Sequence, residues 1–250
     1  MAPLQALDVT SLKAVLAELR ATLLPARFEK AQQRDSHTVQ LGLRSLSGRP
    51  WLELSWQAEA PRLLAIPPPP RQGEGSTLAQ QLQHGLRGLA LVALEQQGWE
   101  RVVTLAFAER PGAAISRRLV VELMGRHSNL FLLEASGRVM AIGRQVRERQ
   151  SRLRPIGNGD SYLPPPPLAG DPPERQESFA SWQRRLKLLP QPLGEALRQS
   201  YQGVSPALAR QLLQGSPAAH SPAADSPDAL LLQPVEQITA TCWQHLFGRW

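Results

Sequence analysis

The stretch Leu119-Val-Val-Glu-Leu-Met-Gly-Arg-His-Ser-Asn-Leu-Phe-Leu-Leu133 places a short polar segment between two apolar runs. Short apolar runs bounded by turn-forming residues are typical of strands in a protein core. Gly125, inside the polar segment, can adopt the positive φ that a tight turn needs. The stretch therefore predicts two neighbouring core strands joined by a hairpin-length connection.

The polar segment contains more hydrogen-bonding groups than a turn requires. Arg126, His127, Ser128 and Asn129 follow one another directly after Gly125. Two interpretations are open. The side chains either satisfy one another within a polar turn, or they face a ligand that offers phosphates, riboses or base edges.

The positive charge of the chain can be placed in the surrounding region. The sequence has 28 Lys and Arg against 21 Asp and Glu, a net charge of +7. Residues 101–154 hold eleven arginines, no lysine and four glutamates, and this excess of seven equals the net charge of the whole chain. Such an excess predicts a basic face for a polyanion. Arginine suits RNA, because it binds phosphate bidentately and stacks on bases. The alternative is the codon use of a GC-rich genome.

Composition excludes several classes of protein. Cys242 is the single cysteine, so no disulfide, zinc knuckle or iron–sulfur cluster can form within the chain. The sequence has neither the pattern of a secretory signal nor an apolar run long enough to span a membrane. We therefore expect a cytoplasmic protein with no membrane contact.

No catalytic, metal-binding or cofactor-binding motif stands out. The histidines lack the spacing of metal ligands, and no phosphate-binding glycine loop or Ser-His-Asp arrangement is evident. They are His37, His84, His127, His220 and His245. The sequence predicts no catalytic residue, no metal and no cofactor, and the protein is not expected to be an enzyme.

Proline-rich segments divide the chain. Pro164–Pro167 and Asp171-Pro-Pro173 indicate a stiff, extended connector. We therefore predict two domains, residues 1–165 and 166–250. Another proline run, Pro67–Pro70, predicts an exposed loop, residues 67–75, before a helix that begins near Ser76.

The first predicted domain has an α+β pattern. A helix capped by Thr10 or Ser11 precedes strands in which apolar and polar residues alternate, as expected for half-buried strands. Strands separated from helices and joined by short turns indicate a largely antiparallel sheet. The predicted elements are a helix over residues 12–23, strands near 39–43 and 52–56, a helix over 78–86, and strands near 101–107, 117–123, 129–133 and 138–142.

The second predicted domain is all-helical. Helices are expected around residues 182–189, 193–197, 208–213 and 235–247, with a mobile loop over 215–228. The turn Gly203-Val-Ser-Pro206 is similar to that of a helix-hairpin-helix element, which can direct backbone N–H groups at a phosphate. A purely structural helix bundle is the alternative.

A series of short motifs resembles the NFACT-N domain family, whose members include RqcH-type and NEMF-type proteins and proteins called fibronectin-binding protein A-like. The resemblance covers nearly the whole chain, and its later part resembles the family's helix-hairpin-helix region. Around Arg20, Gln33-Arg34-Asp35 and Trp243-Gln-His-Leu-Phe247 it is most similar to the cyanobacterial branch. The motifs are Leu16-Ala-Glu-Leu-Arg20, Leu24-Pro-Ala-Arg27, Gln33-Arg34-Asp35, Gly98-Trp-Glu-Arg-Val102, Met124-Gly-Arg-His-Ser-Asn129, Arg154-Pro155, Tyr162-Leu-Pro-Pro165, Gly203-Val-Ser-Pro-Ala-Leu-Ala209 and Trp243-Gln-His-Leu-Phe247.

The resemblance implies a role in ribosome-associated quality control. Family members bind the obstructed large ribosomal subunit with its peptidyl-tRNA and bring in alanyl-tRNA, so that an alanine tail is added to the nascent chain. An Asp-Arg pair of the family helps to hold the tRNA, and Glu100 and Arg101 match it, with an acid that is one methylene longer. The resemblance makes Gly125, Arg126, His127, Ser128 and Asn129 the second group of candidate RNA-binding residues.

Two other functions compete with this one. The NFACT-N fold resembles that of formamidopyrimidine-type DNA glycosylases, but here no acid follows Pro3 and one cysteine cannot build their zinc finger. The older family name suggests a fibronectin-binding adhesin. An arginine-rich face and the lack of a secretory signal count against that alternative.

Overall fold

The computed structural model describes residues 7–71, 76–149, 154–216 and 227–250. These residues group into two compact units. Within the described residues, the sheet unit comprises residues 7–97 and 101–166, and the helical unit comprises residues 98–100 and 167–250. The two domains predicted from the sequence, 1–165 and 166–250, stay a prediction.

The sheet unit is built on one antiparallel sheet, which confirms the predicted α+β class. In the described residues it has nine strands in the order β4-β3-β2-β1-β5-β6-β7-β8-β9. The strands are β1 Ala26–Asp35, β2 Thr38–Arg44, β3 Trp51–Ser55, β4 Arg62–Ile66, β5 Ala90–Gln96, β6 Val102–Ala108, β7 Arg117–Glu122, β8 Asn129–Glu134 and β9 Val139–Ile142. The helices are α1 Val9–Leu23 and α2 Thr77–Leu86.

The first helix has the buried face that its periodicity predicts, but a different cap. Leu12, Leu16, Leu19 and Leu23 are buried. The caps predicted at Thr10 or Ser11 are wrong, because Asp8 Oδ1 accepts hydrogen bonds from the Ser11 N–H at 2.8 Å and from the Thr10 hydroxyl at 2.9 Å. A carboxylate at this position satisfies an N–H that has no partner within the helix.

The second strand is buried on both faces, not half-buried as its alternation predicts. One face packs Val39, Leu41 and Leu43 into the main core. On the outer face, Gln40 is buried within a polar ladder that crosses four strands. The strands β1, β4 and β5 were not predicted, since β1 is rich in polar residues and β5 lacks alternation.

The polar ladder has Glu53 at its centre. Gln32 Nε2 donates to Gln40 Oε1 at 2.9 Å and to the Pro70 carbonyl at 3.0 Å, and Gln40 Nε2 donates to Glu53 Oε2 at 2.9 Å. Arg62 forms a 2.8 Å ion pair with the same carboxylate. Burial by itself raises the pKa of Glu53, but hydrogen bonds from Gln40, Arg62 and Arg34 lower the pKa below its ordinary value.

The predicted hairpin connects β7 and β8. Glu122 lies opposite Asn129 and Val120 opposite Phe131. Between them, Gly125–His127 form one turn of 3-10 helix that starts at a φ of 58° at Gly125. The positive φ that the sequence predicts for this glycine is confirmed.

A second buried carboxylate fixes the segment that follows the sheet. Glu122 is 1% exposed and receives Arg154 bidentately, at 2.9 Å and 2.5 Å, together with the Tyr162 hydroxyl at 2.8 Å. The Arg154 guanidinium lies 5.5 Å from the centroid of Phe131. Burial, and then the Glu122 charge, raise the pKa of Tyr162, so its hydroxyl stays a donor. These contacts hold residues 154–163 on the outer face of the sheet.

The helical unit packs around Trp182 and Trp243, both fully buried. Two helix predictions are corrected. The helix predicted over residues 182–189 ends before Leu189, which is 56% exposed. The helix predicted over residues 235–247 is a 3-10 turn followed by a separate helix. Of the predicted mobile loop, residues 217–226 lie outside the described residues and 227–228 begin a helix. The helices are α3 Phe179–Leu186, α4 Leu193–Ser200, α5 Pro206–Leu213, α6 Pro227–Leu232 and α7 Ala240–Arg249. No helix in the described part of the chain is long and apolar enough to cross a membrane.

Replacing Tyr162 by Phe should destabilise the sheet unit. The change removes a hydrogen bond to the buried Glu122 carboxylate, which costs about 1–3 kcal/mol. Urea unfolding followed by circular dichroism measures the loss. Ser161→Ala, one residue away and exposed, is the control. Equal stability of Tyr162→Phe and the wild type would contradict the role given to this hydroxyl.

Replacing Glu53 by Gln should reduce stability most at neutral pH. A carboxyl group whose pKa is lowered by folding stabilises the native state above its unfolded pKa of about 4.3, and this contribution is lost as pH falls through the lower native pKa. At pH 7 we expect a loss of about 1.5–3 kcal/mol, the cost of hydrogen bonds to a charged group. Unfolding free energies measured from pH 7 down to pH 3 should converge for the two proteins. A pH-independent difference would contradict this account.

Candidate nucleic-acid interface

The antiparallel register gathers the candidate loop and its neighbours at one end of the sheet. Val102 at the start of β6 lies opposite Glu122, and Glu122 lies opposite Asn129. The last residue of β9 lies at the same end of the sheet, because Ile142 is opposite Phe131. This end of the sheet, which we call the loop end, therefore carries Arg101, residues 123–129 and residues 143–144.

Arg101 is brought to the loop end, and Glu100 has a partner elsewhere. The Arg101 carbonyl accepts the Leu123 N–H at 2.9 Å, directly before the candidate loop. Arg101 is half-buried. Glu100 Oε1 accepts the Leu168 N–H at 3.1 Å within the helical unit. The carboxylate therefore orders the backbone at Leu168, a role that the sequence did not indicate.

Ser128 and Asn129 are buried and shape the loop from within. Ser128 Oγ accepts the Met124 N–H at 2.8 Å. The Asn129 amide donates to the Arg144 carbonyl at 2.8 Å, and its oxygen accepts the Arg144 N–H at 2.9 Å and the Leu130 N–H at 3.0 Å. For these two residues the geometry favours the self-satisfied turn.

Arg126 and His127 are exposed and remain available at the surface. Arg126 Nε donates to His127 Nε2 at 3.1 Å, which requires an unprotonated Nε2. Arg144 Nη2 donates to the Arg126 carbonyl at 2.8 Å, so a second exposed guanidinium joins the loop. Sequence reasoning missed Arg144, although its place directly after the predicted last strand could have indicated it.

Trp56 supports the loop end from below. Its indole is 2% exposed. A Cβ added to Gly143 would lie 2.8 Å from Trp56 Cε2, so only glycine fits between the indole and the backbone that carries Arg144. At Gly125 a Cβ would lie 3.7 Å from the Ala58 carbonyl oxygen, which is an ordinary contact. Glycine is favoured at this position by its positive φ and not by a lack of space.

The loop end thus presents exposed cations above buried side chains. Arg126 and Arg144 are held by the turn and by Asn129, and exposed Arg147 and Arg149 follow. In the described ranges no group of three or more His, Cys, Asp or Glu side chains could hold a metal ion. Fixed guanidinium groups are suited to phosphate oxygens, which they bind bidentately.

Comparison with known proteins places this arrangement in a family context. The relatives include a protein of Streptococcus pneumoniae serotype 2 (strain D39) named Rqc2 homolog RqcH, 27% identical over 156 residues, or 61% of this chain and 28% of the relative. Rqc2 homolog RqcH of Bacillus subtilis (strain 168) is 26% identical over 199 residues, or 78% of this chain and 35% of the relative. The chain spans about a third of the length of these relatives.

Solved structures share the fold. The N-terminal domain of fibronectin-binding protein PavA from Streptococcus pneumoniae superposes with a TM-score of 0.71 at 23% identity, covering 83% of this chain and 78% of that one. The N-terminal part of the fibronectin/fibrinogen-binding protein from Streptococcus suis gives a TM-score of 0.69 at 23% identity, with 90% and 83% covered. A family model described as NFACT N-terminal and middle domains matches residues 8–247. The chain therefore belongs to the NFACT N-terminal and middle domain family.

Proposed function

We propose that this chain is the tRNA-binding part of a ribosome-associated quality control factor. The observation that carries the proposal is the loop end of the sheet, where Arg126 and Arg144 stand exposed on a buried scaffold. The relatives named Rqc2 homolog RqcH support a role in ribosome-associated quality control. Arg101 is included because its carbonyl accepts the Leu123 N–H, directly before the loop.

We further propose the finer roles that the resemblance to the family implies. They are recruitment of alanyl-tRNA to the obstructed large ribosomal subunit with peptidyl-tRNA, and alanine tailing of the nascent chain in the cytoplasm. We propose that this chain supplies the tRNA contact in that process. Catalysis is not part of the proposal.

A second candidate function is binding of an extracellular matrix protein. One solved neighbour is named a fibronectin-binding protein and another a fibronectin/fibrinogen-binding protein. A pull-down with immobilised fibronectin separates the two proposals, because a tRNA-binding module should not be retained at physiological salt.

Binding of tRNA should weaken steeply with salt through contacts at the loop end. Each phosphate neutralised by a cation contributes about 0.7–0.9 to the slope of log K against log salt. We expect Arg126→Ala and Arg144→Ala each to lower this slope by about one contact. Fluorescence anisotropy with labelled tRNA between about 50 and 200 mM salt measures it.

The matched control for these variants is Arg175→Ala, which removes an exposed charge from the helical unit. A slope that falls equally in all three variants would leave only non-specific electrostatics. Affinity that does not change with salt would contradict the proposed function.

Arg101 and Arg126 should contribute to one binding surface. Arg101→Ala is expected to weaken tRNA binding by about 1–3 kcal/mol, the scale of one charged contact. In a double-mutant cycle with Arg126→Ala, two contacts to the same ligand patch should couple by about 0.5 kcal/mol or more. Melting temperatures of the variants check that the fold is retained. Strict additivity in folded variants would place Arg101 outside the tRNA surface.

A further inference from the structure

The outer face of β1–β3 carries a second cluster of cations, around an aromatic side chain. The register sets Lys30 opposite Gly42 and Gly42 opposite Trp51. Arg44, two residues after Gly42 in β2, lies opposite Arg27. Opposite residues in a sheet point to the same face. Since Leu41 and Leu52 point to the main core, these residues point away from it.

Gly42 creates the space in which Trp51 lies against the sheet. A Cβ at Gly42 would be 3.1 Å from Trp51 Cζ2, which is tighter than ordinary contact. The indole therefore rests on the backbone of β2 and remains half-buried. The Lys30 ammonium lies 6.0 Å from its ring centroid. We call Trp51 with Arg27, Lys30, Arg44 and Arg49 the Trp51 platform.

The arginines of the platform are exposed and only weakly neutralised. The side chains of Arg44 and Arg49 are 55% and 74% exposed. Both face Glu29, at N–O distances of 3.4 Å and 4.0 Å. Ion pairs that are this exposed contribute little free energy, so the guanidinium groups can exchange Glu29 for a ligand phosphate at small cost. One carboxylate against four cations leaves the platform positive.

We propose that the Trp51 platform binds a single-stranded RNA segment. A base stacks on Trp51, and Arg44 and Arg49 contact the phosphates on either side. A half-buried aromatic ring on the outer face of the sheet, with cations beside it, fits a base and its backbone, because every base has a face that can stack. An acidic protein would match the charge but would not need the ring.

The platform is separate from the loop end of the sheet. Trp51 begins β3, whereas Trp56 follows its last residue, and five residues of strand span about 16 Å. The inference therefore adds a second RNA surface to the proposed function and does not depend on the first. Either surface can fail its test while the other passes.

The test measures binding of a fluorescein-labelled oligouridine at about 50 mM salt to the full chain. Base stacking on an aromatic side chain accounts for about five-fold or more in affinity. Trp51→Leu, which keeps an apolar side chain, should lose at least this factor, while Trp51→Phe, which keeps an aromatic ring, should lose much less. A merely structural role of Trp51 would not separate the two variants when both are folded.

The charges are tested with two further variants. Arg44→Ala/Arg49→Ala should weaken binding and lower the salt slope by roughly 1.4, or 0.7 for each contact to a single strand. Glu29→Gln should strengthen binding, because it removes the carboxylate that competes with phosphate. The control Arg175→Ala/Arg249→Ala removes the same charge from the helical unit and should have little effect.

Crosslinking locates the RNA. Oligouridine carrying 4-thiouridine should crosslink to residues 42–51, and this crosslink should persist in Arg126→Ala/Arg144→Ala. Crosslinks confined to residues 124–149 would overturn the inference, as would equal binding by Trp51→Leu and the wild type. A polyglutamate peptide that displaces the RNA and binds Trp51→Leu as tightly as it binds the wild type would indicate an acidic protein partner. That result would also overturn the inference.

Discussion

The register that sets Glu122 opposite Asn129 is the constraint on which the loop end of the sheet depends. Successive strand residues point to opposite faces, so a slip of one residue would exchange the two faces of β8. Phe131 would turn away from Arg154, and Asn129 would lose the backbone of Arg144. Because Val121 and Leu130 are fully buried in the main core, such a slip would also expose core side chains. The apolar pattern of two strands thereby fixes the position of the surface cations.

Buried polar groups hold the irregular segments of both units in place. In the sheet unit, Gln32 binds the carbonyl of Pro70 and Glu122 binds Arg154. In the helical unit, the Tyr201 hydroxyl donates to Glu177 at 2.6 Å. A proline-rich segment has few backbone N–H groups to offer, so side chains of the sheet must supply its hydrogen bonds. Buried carboxylates and amides make this possible where apolar contact alone would leave polar atoms without partners.

The sequence predicted the elements with strong apolar periodicity and missed those without it. The buried leucines of α1, the strands β6 to β9 and the positive φ of Gly125 follow from local pattern. The strand β1 could not be predicted, because Glu29, Gln32 and Arg34 interrupt its apolar residues and contact partners distant in sequence. At the candidate site, the exposed Arg126 and His127 were predicted. The contact of Arg144 with the loop was not, because it depends on the Asn129 side chain and on the pairing of β8 with β9.

Net charge counted along the sequence also hides how charge is arranged on the fold. Outside residues 101–154 the basic and acidic residues cancel, which favours a single basic face. The pairing of β1 with β2 and β3 nevertheless collects Arg27, Lys30, Arg44 and Arg49 on one face with Glu29. Glu53, further along the same face, is already neutralised by Arg62 and hydrogen-bonded to Gln40. A neutral stretch of sequence can therefore produce a positive surface, because folding pairs some charges in the interior of the ladder and leaves others of one sign together at its end.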